Sequence, residues 1–258
     1  MTVSSGVISL HNQIEGYMKQ LRLGSLAKEW QSVAFKTREQ YLADLLLLEL
    51  REREVNRINR LVKDAAFPVV KSLDDFKWTG QIEIYDQDVS QESLERLDFI
   101  NDRENLIFMG AVGTGKSHLA SALALKACQN GHQVRFYTAA RLANILYEKN
   151  KKGQFESFIK SLQKLGLLVI DEIGFVPLHM EAAELLYQVI ADCYERRSVI
   201  VTTNLEFSHW NTVFIGKKVT AAIIDRLVHH SHILIFSGES YRLAQSMKRA
   251  GKKVTELS

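Results

Sequence analysis

The sequence predicts an α/β fold: a parallel five-stranded sheet flanked by helices, preceded by a small all-helical N-terminal domain. Three observations carry that expectation. Short apolar runs alternate with helical stretches through the C-terminal two thirds of the chain. The first of those runs, at 106–109, leads straight into Gly110-Ala111-Val112-Gly113-Thr114-Gly115-Lys116-Ser117. Ahead of Pro68 the apolar spacing is helical throughout.

The N-terminal part, residues 1–68, reads as follows. Leu10, Ile14, Tyr17, Met18 and Leu21 share one helical face, and Gly24 predicts a stop or bend. A second helix holds Leu26 and Trp30. Thr37-Arg38-Glu39-Gln40 has the form of a capping box and opens a long helix that runs to Ala66. Tyr17, Trp30, Phe35 and Tyr41 read as core residues. Late in the long helix Val55, Ile58 and Val62 share a face, with Arg53, Arg57 and Arg60 roughly opposite and Lys63 beside them. Glu52, Glu54 and Asp64 are interspersed. Two readings stay open for this ridge: a solvated face laced with ion pairs, or a surface that tracks nucleic-acid phosphates.

Residues 69–258 form the second domain. Strands are predicted at 106–109, 134–137, 167–170, 199–203 and 233–236, with helices near 117–129, 141–165, 181–196 and 217–230. The stretch G-x-x-x-x-G-K-S between a strand and a helix is a phosphate-binding loop. Gly110, Gly113 and Gly115 let the backbone, with Thr114, curl its N–H groups toward phosphate oxygens, and the helix N-terminus adds partial positive charge. Lys116 is placed to reach the β- and γ-phosphates of a nucleotide, and the Ser117 hydroxyl to ligate Mg²⁺. Leu167-Leu168-Val169-Ile170-Asp171-Glu172 ends a doubly buried strand in two carboxylates. Asp171 is placed to hold Mg²⁺ and Glu172 to polarise an attacking water.

Further polar groups stand at element ends. Thr202-Thr203-Asn204 closes a strand parallel to the one bearing Asp171, so Asn204 can hydrogen-bond the attacking water. Arg226, late in a helix, and Arg242, after the last strand, are each either a surface residue or an arginine that completes a phosphate site. Lys149-Asn150-Lys151-Lys152-Gly153 is a basic tip, either an exposed turn or a second polyanion contact through Lys151 and Lys152.

Composition sets limits. With 258 residues, 46% hydrophobic, the chain can bury a large core. A formal charge of +3 excludes a uniformly polybasic nucleic-acid binder, so such contacts must be local. Cys128 and Cys193 lack metal-like spacing and read as buried free thiols in a reducing compartment. No apolar stretch is long enough to span a membrane, and no signal peptide is evident, so a cytoplasmic location is expected.

The set GAVGTGKS, LLVIDE, TTN, DRL and SYR, in this order and spacing, resembles the AAA+ ATPases of the helicase-loader branch. Within it the chain is most similar to the IstB-type transposition helper ATPases, whose relatives include the helicase loader DnaC. The stretches from Leu21 to Trp30, from Lys71 to Phe76 and from Asp225 to His232 share in that resemblance. It implies an ATP- and Mg²⁺-dependent ATPase that assembles head to tail, as a helix or ring, on duplex DNA and assists a transposase. Asn204 would then be the sensor beside the γ-phosphate, and Arg226 an arginine finger acting on a neighbouring subunit. Arg242 would sense nucleotide in its own subunit, and Phe76 would lie near the adenine. The short stretch after Phe236 implies a reduced C-terminal lid. The resemblance places His229, His230 and His232 in a helix–strand connection, with no carboxylate or cysteine partner expected near them. Two other classes stay open: a helicase loader preferring single-stranded DNA, and a small-molecule kinase with a phosphate loop.

Overall fold

The computed structural model describes residues 9–78, 81–85, 89–214, 216–238 and 240–241. The chain forms two units, one ending at Arg60 and the other beginning at Leu61. The division precedes Pro68 because the last turns of the long helix belong to the second unit. Ala65 is fully buried in that unit's core, with Leu61 and Val62 packed against the same cluster.

The first unit holds α1 (Leu10–Gln20), α2 (Leu26–Glu29) and most of α3 (Arg38–Ala65). Ser9 caps α1 by accepting from the Asn12 amide. The stop expected at Gly24 comes earlier. Arg22 takes the left-handed conformation (φ 57°). Its N–H bonds the Lys19 carbonyl, and the Leu23 N–H reaches back to Met18. Half of the capping box expected at Thr37 forms: its hydroxyl accepts from the Gln40 amide at 3.2 Å. The Gln40 side chain turns instead to Asp44. Little of this unit is buried. Tyr17 and Phe35, expected in a core, are exposed, and Trp30 and Tyr41 are half-buried.

The second unit alternates strands and helices. In order they are β1 (Ile82–Ile84), α4 (Gln91–Arg96), α5 (Asp98–Asn101), β2 (Asn105–Gly110), α6 (Lys116–Gln129), β3 (Val134–Thr138), α7 (Ala139–Lys151) and α8 (Phe155–Leu162). Then come β4 (Leu167–Ile173), α9 (Met180–Cys193), β5 (Ser198–Thr203), a 3₁₀ turn (Phe207–Thr212), α10 (Lys217–Val228) and β6 (Ser231–Phe236). The strands form one six-stranded sheet in the order β1-β6-β2-β5-β4-β3. Every pairing is parallel except β1 with β6, so the five expected strands are present and an antiparallel edge strand joins them. β1 has only three residues, too few to show a period in sequence.

The apolar runs of β2, β4 and β5 are buried on both faces, as a doubly covered sheet requires. In β6, beside the edge strand, Ile233 and Ile235 are half-buried. Leu106 and Phe108 face a core built with α6, while Ile107 faces the opposite core of α7, α9 and α10. The helix expected at 141–165 is two helices. Gly153 (φ 65°) breaks it with the paired bonds Gly153 N–H to Asn150 and Gln154 N–H to Lys149. Both cysteines are buried and free, and burial pushes their thiols up, to about 11 for Cys128 and about 12 for Cys193. Among the described residues no helix is long and apolar enough to cross a membrane.

Candidate nucleotide-binding site

The sheet order puts β2 and β4 on either side of β5, so three strand ends converge at one edge. β2 ends in Gly110 and feeds the phosphate loop, which opens α6. Gly113 needs its lack of a side chain. It has φ 85°, and a Cβ there would lie 2.2 Å from the Ser240 hydroxyl oxygen. Gly115 caps α6 at φ 105°, and its carbonyl accepts the first helical bond, from Leu119. The amides ahead of Leu119 have no carbonyl one turn back, so they are donors for an anion. The Thr114 hydroxyl braces the loop by donating to the Ala111 carbonyl at 2.8 Å. Lys116 is 8% exposed. Its ammonium folds over the loop, 2.7 Å from the Gly110 carbonyl and 2.6 Å from that of Ala111.

The carboxylates stand beside this loop. Ser117 Oγ donates to Asp171 Oδ1 at 2.8 Å, which joins the start of α6 to the end of β4. A hydroxyl and one buried carboxylate are hard oxygen donors, a set that suits Mg²⁺ completed by water and phosphate oxygens. Glu172 is exposed, at φ 62°. Both carboxylates line a cavity of about 630 Å³, together with Gly113 to Ser117, Phe76 and Tyr241. That volume suits a small-molecule ligand. Phe76 meets Trp78 and His118 edge-on, at centroid distances of 5.2 and 5.3 Å. Such an aromatic wall beside phosphate-directed amides can hold a flat, charged ligand.

The remaining predicted residues divide. Asn204 follows β5 and is exposed. Its Oδ1 lies 3.5 Å from where a Cβ on Gly174 would stand, and Asn204 does not line the cavity. Arg226 lies in the last turn of α10 and does not line the cavity. Its guanidinium stacks on the Tyr194 ring, 4.5 Å from the centroid. Arg242 lies outside the described residues. Its neighbour Tyr241 donates its amide to the Gly113 carbonyl at 2.9 Å, so the end of the described chain touches the phosphate loop.

Four of the six predicted phosphate-tracking cations have local partners among the described residues. Arg53 bonds Glu49 (2.9 Å) and the Arg22 carbonyl (3.0 Å). Glu49 is itself buried and accepts from the Leu26 amide, so Arg53 helps tie α3 to the turn ahead of α2. Arg57 forks onto both oxygens of Glu54 at 2.9 and 2.7 Å. Arg60 and Lys63 are exposed and make no ion pair among the described residues. Lys151 lies over Tyr147, and Lys152 is 3.8 Å from Glu148. The histidines do find carboxylates, which sequence distance conceals: His230 meets Glu195 at 3.2 Å and His232 meets Glu104 at 2.7 Å. These are separate pairs, and the described residues contain no group of three or more metal-ligating side chains.

The sequence profile of the family described as IstB-like ATP binding protein matches residues 16–249. The chain belongs to this family. It is 32% identical over 250 residues to a protein of insertion sequence IS5376 from Geobacillus stearothermophilus described as ATP-binding, covering 95% of this chain and 99% of that one. It is 37% identical over 209 residues to the corresponding IS21 protein of Pseudomonas aeruginosa, covering 81% and 78% respectively. Among solved structures it is similar to the DnaC helicase loader, with 22% identity and a TM-score of 0.45 over 55% of this chain and 85% of that one. The IstB-like chain thus combines a phosphate-loop α/β fold with relatives carried by insertion sequences. Sequence reasoning missed Thr202 at this site. Its signal was its place at the head of the polar triplet Thr202-Thr203-Asn204, of which only Asn204 was given a role.

Proposed function

We propose that this chain is an ATPase that assembles on duplex DNA and assists the transposase of an insertion sequence. The observation that carries the ATPase reading is the bonded set Ser117–Asp171–Thr202–Glu172, of which Ser117, Asp171 and Glu172 line the cavity of the phosphate loop and Thr202 lies buried behind them. The α6 amides and Lys116 hold the phosphates. Ser117 and Asp171 hold Mg²⁺, which neutralises charge on the phosphate oxygens when bound. Glu172 takes a proton from the attacking water, which Asn204 orients. Phe76 and its aromatic neighbours take the base, and Arg242 contacts the phosphates of its own subunit.

Arg226 is the part that the cavity lacks. Its stack on Tyr194, away from the cavity of its own chain, supports a role as an arginine finger on a neighbouring subunit's ATP. A head-to-tail contact of that kind produces a ring or an open helix. Arg53, Arg57, Arg60, Lys63, Lys151 and Lys152 are the cations proposed to meet DNA phosphates, without sequence preference. The insertion-sequence relatives support a transposase as partner, and a cytoplasmic location fits such a complex.

ATP turnover measured with and without duplex DNA tests this reading, with Lys116→Ala as control. DNA-stimulated turnover that Lys116→Ala abolishes is expected. Turnover indifferent to DNA and protein concentration would return the kinase reading. Capture of a replicative helicase rather than the transposase, with preference for single-stranded DNA, would support the helicase-loader reading.

A further inference from the structure

We infer that Thr202 is a positioning residue that holds a bulge in β4 and so aims Glu172 into the nucleotide cavity; this rests on the ATPase reading above. Adjacent residues of a regular strand point to opposite faces. Asp171 and Glu172 are adjacent, yet both line the same cavity. The β4–β5 register shows how. Ile170 pairs with Val201 and Ile173 with Thr203, so Asp171 and Glu172 share the single partner Thr202. Two residues against one is a β-bulge, which re-aims a side chain at the cost of one ladder position.

The bulged residue is unusual. Glu172 takes the left-handed conformation at φ 62°, which favours glycine. Its N–H leaves the backbone ladder and is accepted by Thr202 Oγ1 at 2.9 Å. The same hydroxyl donates its proton to Asp171 Oδ1 at 2.5 Å. One hydroxyl, with one proton and two lone pairs, therefore satisfies the displaced amide and orients the neighbouring carboxylate. Thr202 is 1% exposed and does not line the cavity, so it acts through Asp171 and Glu172 and not on ATP. An observed outlier held by a specific side-chain bond at a reactive carboxylate is the form that functional strain takes.

Thr202→Val keeps the branched shape and removes the hydroxyl. Its kcat should fall by roughly 10- to 100-fold, the scale set by a small misplacement of a reacting group, while ATP affinity stays at the wild-type value. Thr202→Ser should restore most of kcat. In a Glu172→Gln background Thr202→Val should cost clearly less than in the wild type, because its main effect runs through Glu172. Full kcat in a folded Thr202→Val, no rescue by serine, or a full additional loss in the Glu172→Gln background would overturn the inference. A readout independent of variants is hydrogen exchange: the Glu172 amide should exchange slowly in the wild-type protein, and fast exchange would also overturn it. Failure of the ATPase reading looks different, since wild-type protein would then show no turnover that depends on Lys116 and Glu172.

Discussion

Leucines behave oppositely in the two units. Leu42, Leu46 and Leu50 of α3 are each at least half exposed, whereas Leu106, Leu123, Leu167 and Leu168 are fully buried. The sheet unit closes its own core on both faces. The helical unit is tied largely by polar bonds, from Glu49 to Leu26 and from Arg53 to Arg22, and presents apolar surface outward. Exposed apolar patches of this kind mark surfaces that meet a partner. The sheet unit is therefore explained by its own packing, while the described residues of the helical unit leave the outer leucines of α3 uncovered.

The largest test asks whether the sheet unit is complete alone. If Arg226 acts on a neighbour, Arg226→Ala should bind ATP normally and lose roughly 10³- to 10⁵-fold in turnover. Mixing it with Lys116→Ala, which keeps the finger but not ATP, should restore some DNA-stimulated hydrolysis at mixed interfaces. Absence of rescue, with co-assembly shown by light scattering, would make the arginine a residue of its own site. Next in size is Glu172→Gln, which keeps the bulge and the hydrogen-bonding shape but not the base. Turnover should drop by roughly 10²- to 10⁴-fold, and the ATP–DNA complex should persist longer. Normal turnover would remove Glu172 from the mechanism.

A pair of core and surface substitutions measures the contrast directly. Phe108→Ala removes a fully buried ring and should cost about 3–5 kcal/mol in urea unfolding. Leu46→Ala, at a half-exposed position, should stay within about 0.5 kcal/mol. A large loss at Leu46 that scales with protein concentration would show that self-assembly covers the leucine face.

The same contrast explains what the sequence made legible. The three central strands β2, β5 and β4 were readable because burial on both faces writes continuous apolar runs, and the phosphate loop because its glycines answer steric demands such as that of Gly113 against Ser240. The break at Gly153 was readable in principle as a helix stop, but Lys149, Lys151 and Lys152 ahead of it made it read as a basic tip within one helical stretch. Thr202 was harder, because its role arises from a register shift between strands that are distant in sequence. The carboxylates beside His230 and His232 come from 35 and 128 residues away, beyond any local pattern. In the helical unit the run from Leu45 to Leu48 is apolar on every side, so periodicity could not say which leucines face outward.

The smallest effect decides between the two readings of the arginine ridge. A cation that meets a DNA phosphate lowers the log–log salt slope of binding by about one unit when removed. Arg60 and Lys63 are exposed without ion pairs among the described residues, so Arg60→Ala and Lys63→Ala should each show that change at unaltered Tm. Arg53→Ala should instead lower Tm, because it takes away the partner of the buried Glu49. Arg57 is the informative case. Its fork onto Glu54 holds that carboxyl below its ordinary pKa, so the pair is intact above the usual carboxylate range and opens as pH falls through the lowered value. If the ridge tracks DNA, the phosphates compete with Glu54 for Arg57 at neutral pH. Glu54→Gln releases the guanidinium and removes a repelling charge, so duplex binding should tighten and the salt slope should steepen by about one unit. The pH dependence contributed by this pair should vanish in the same variant. If Arg60→Ala, Lys63→Ala and Glu54→Gln all leave the slope unchanged, the ridge is a solvated face laced with ion pairs and takes no part in DNA binding.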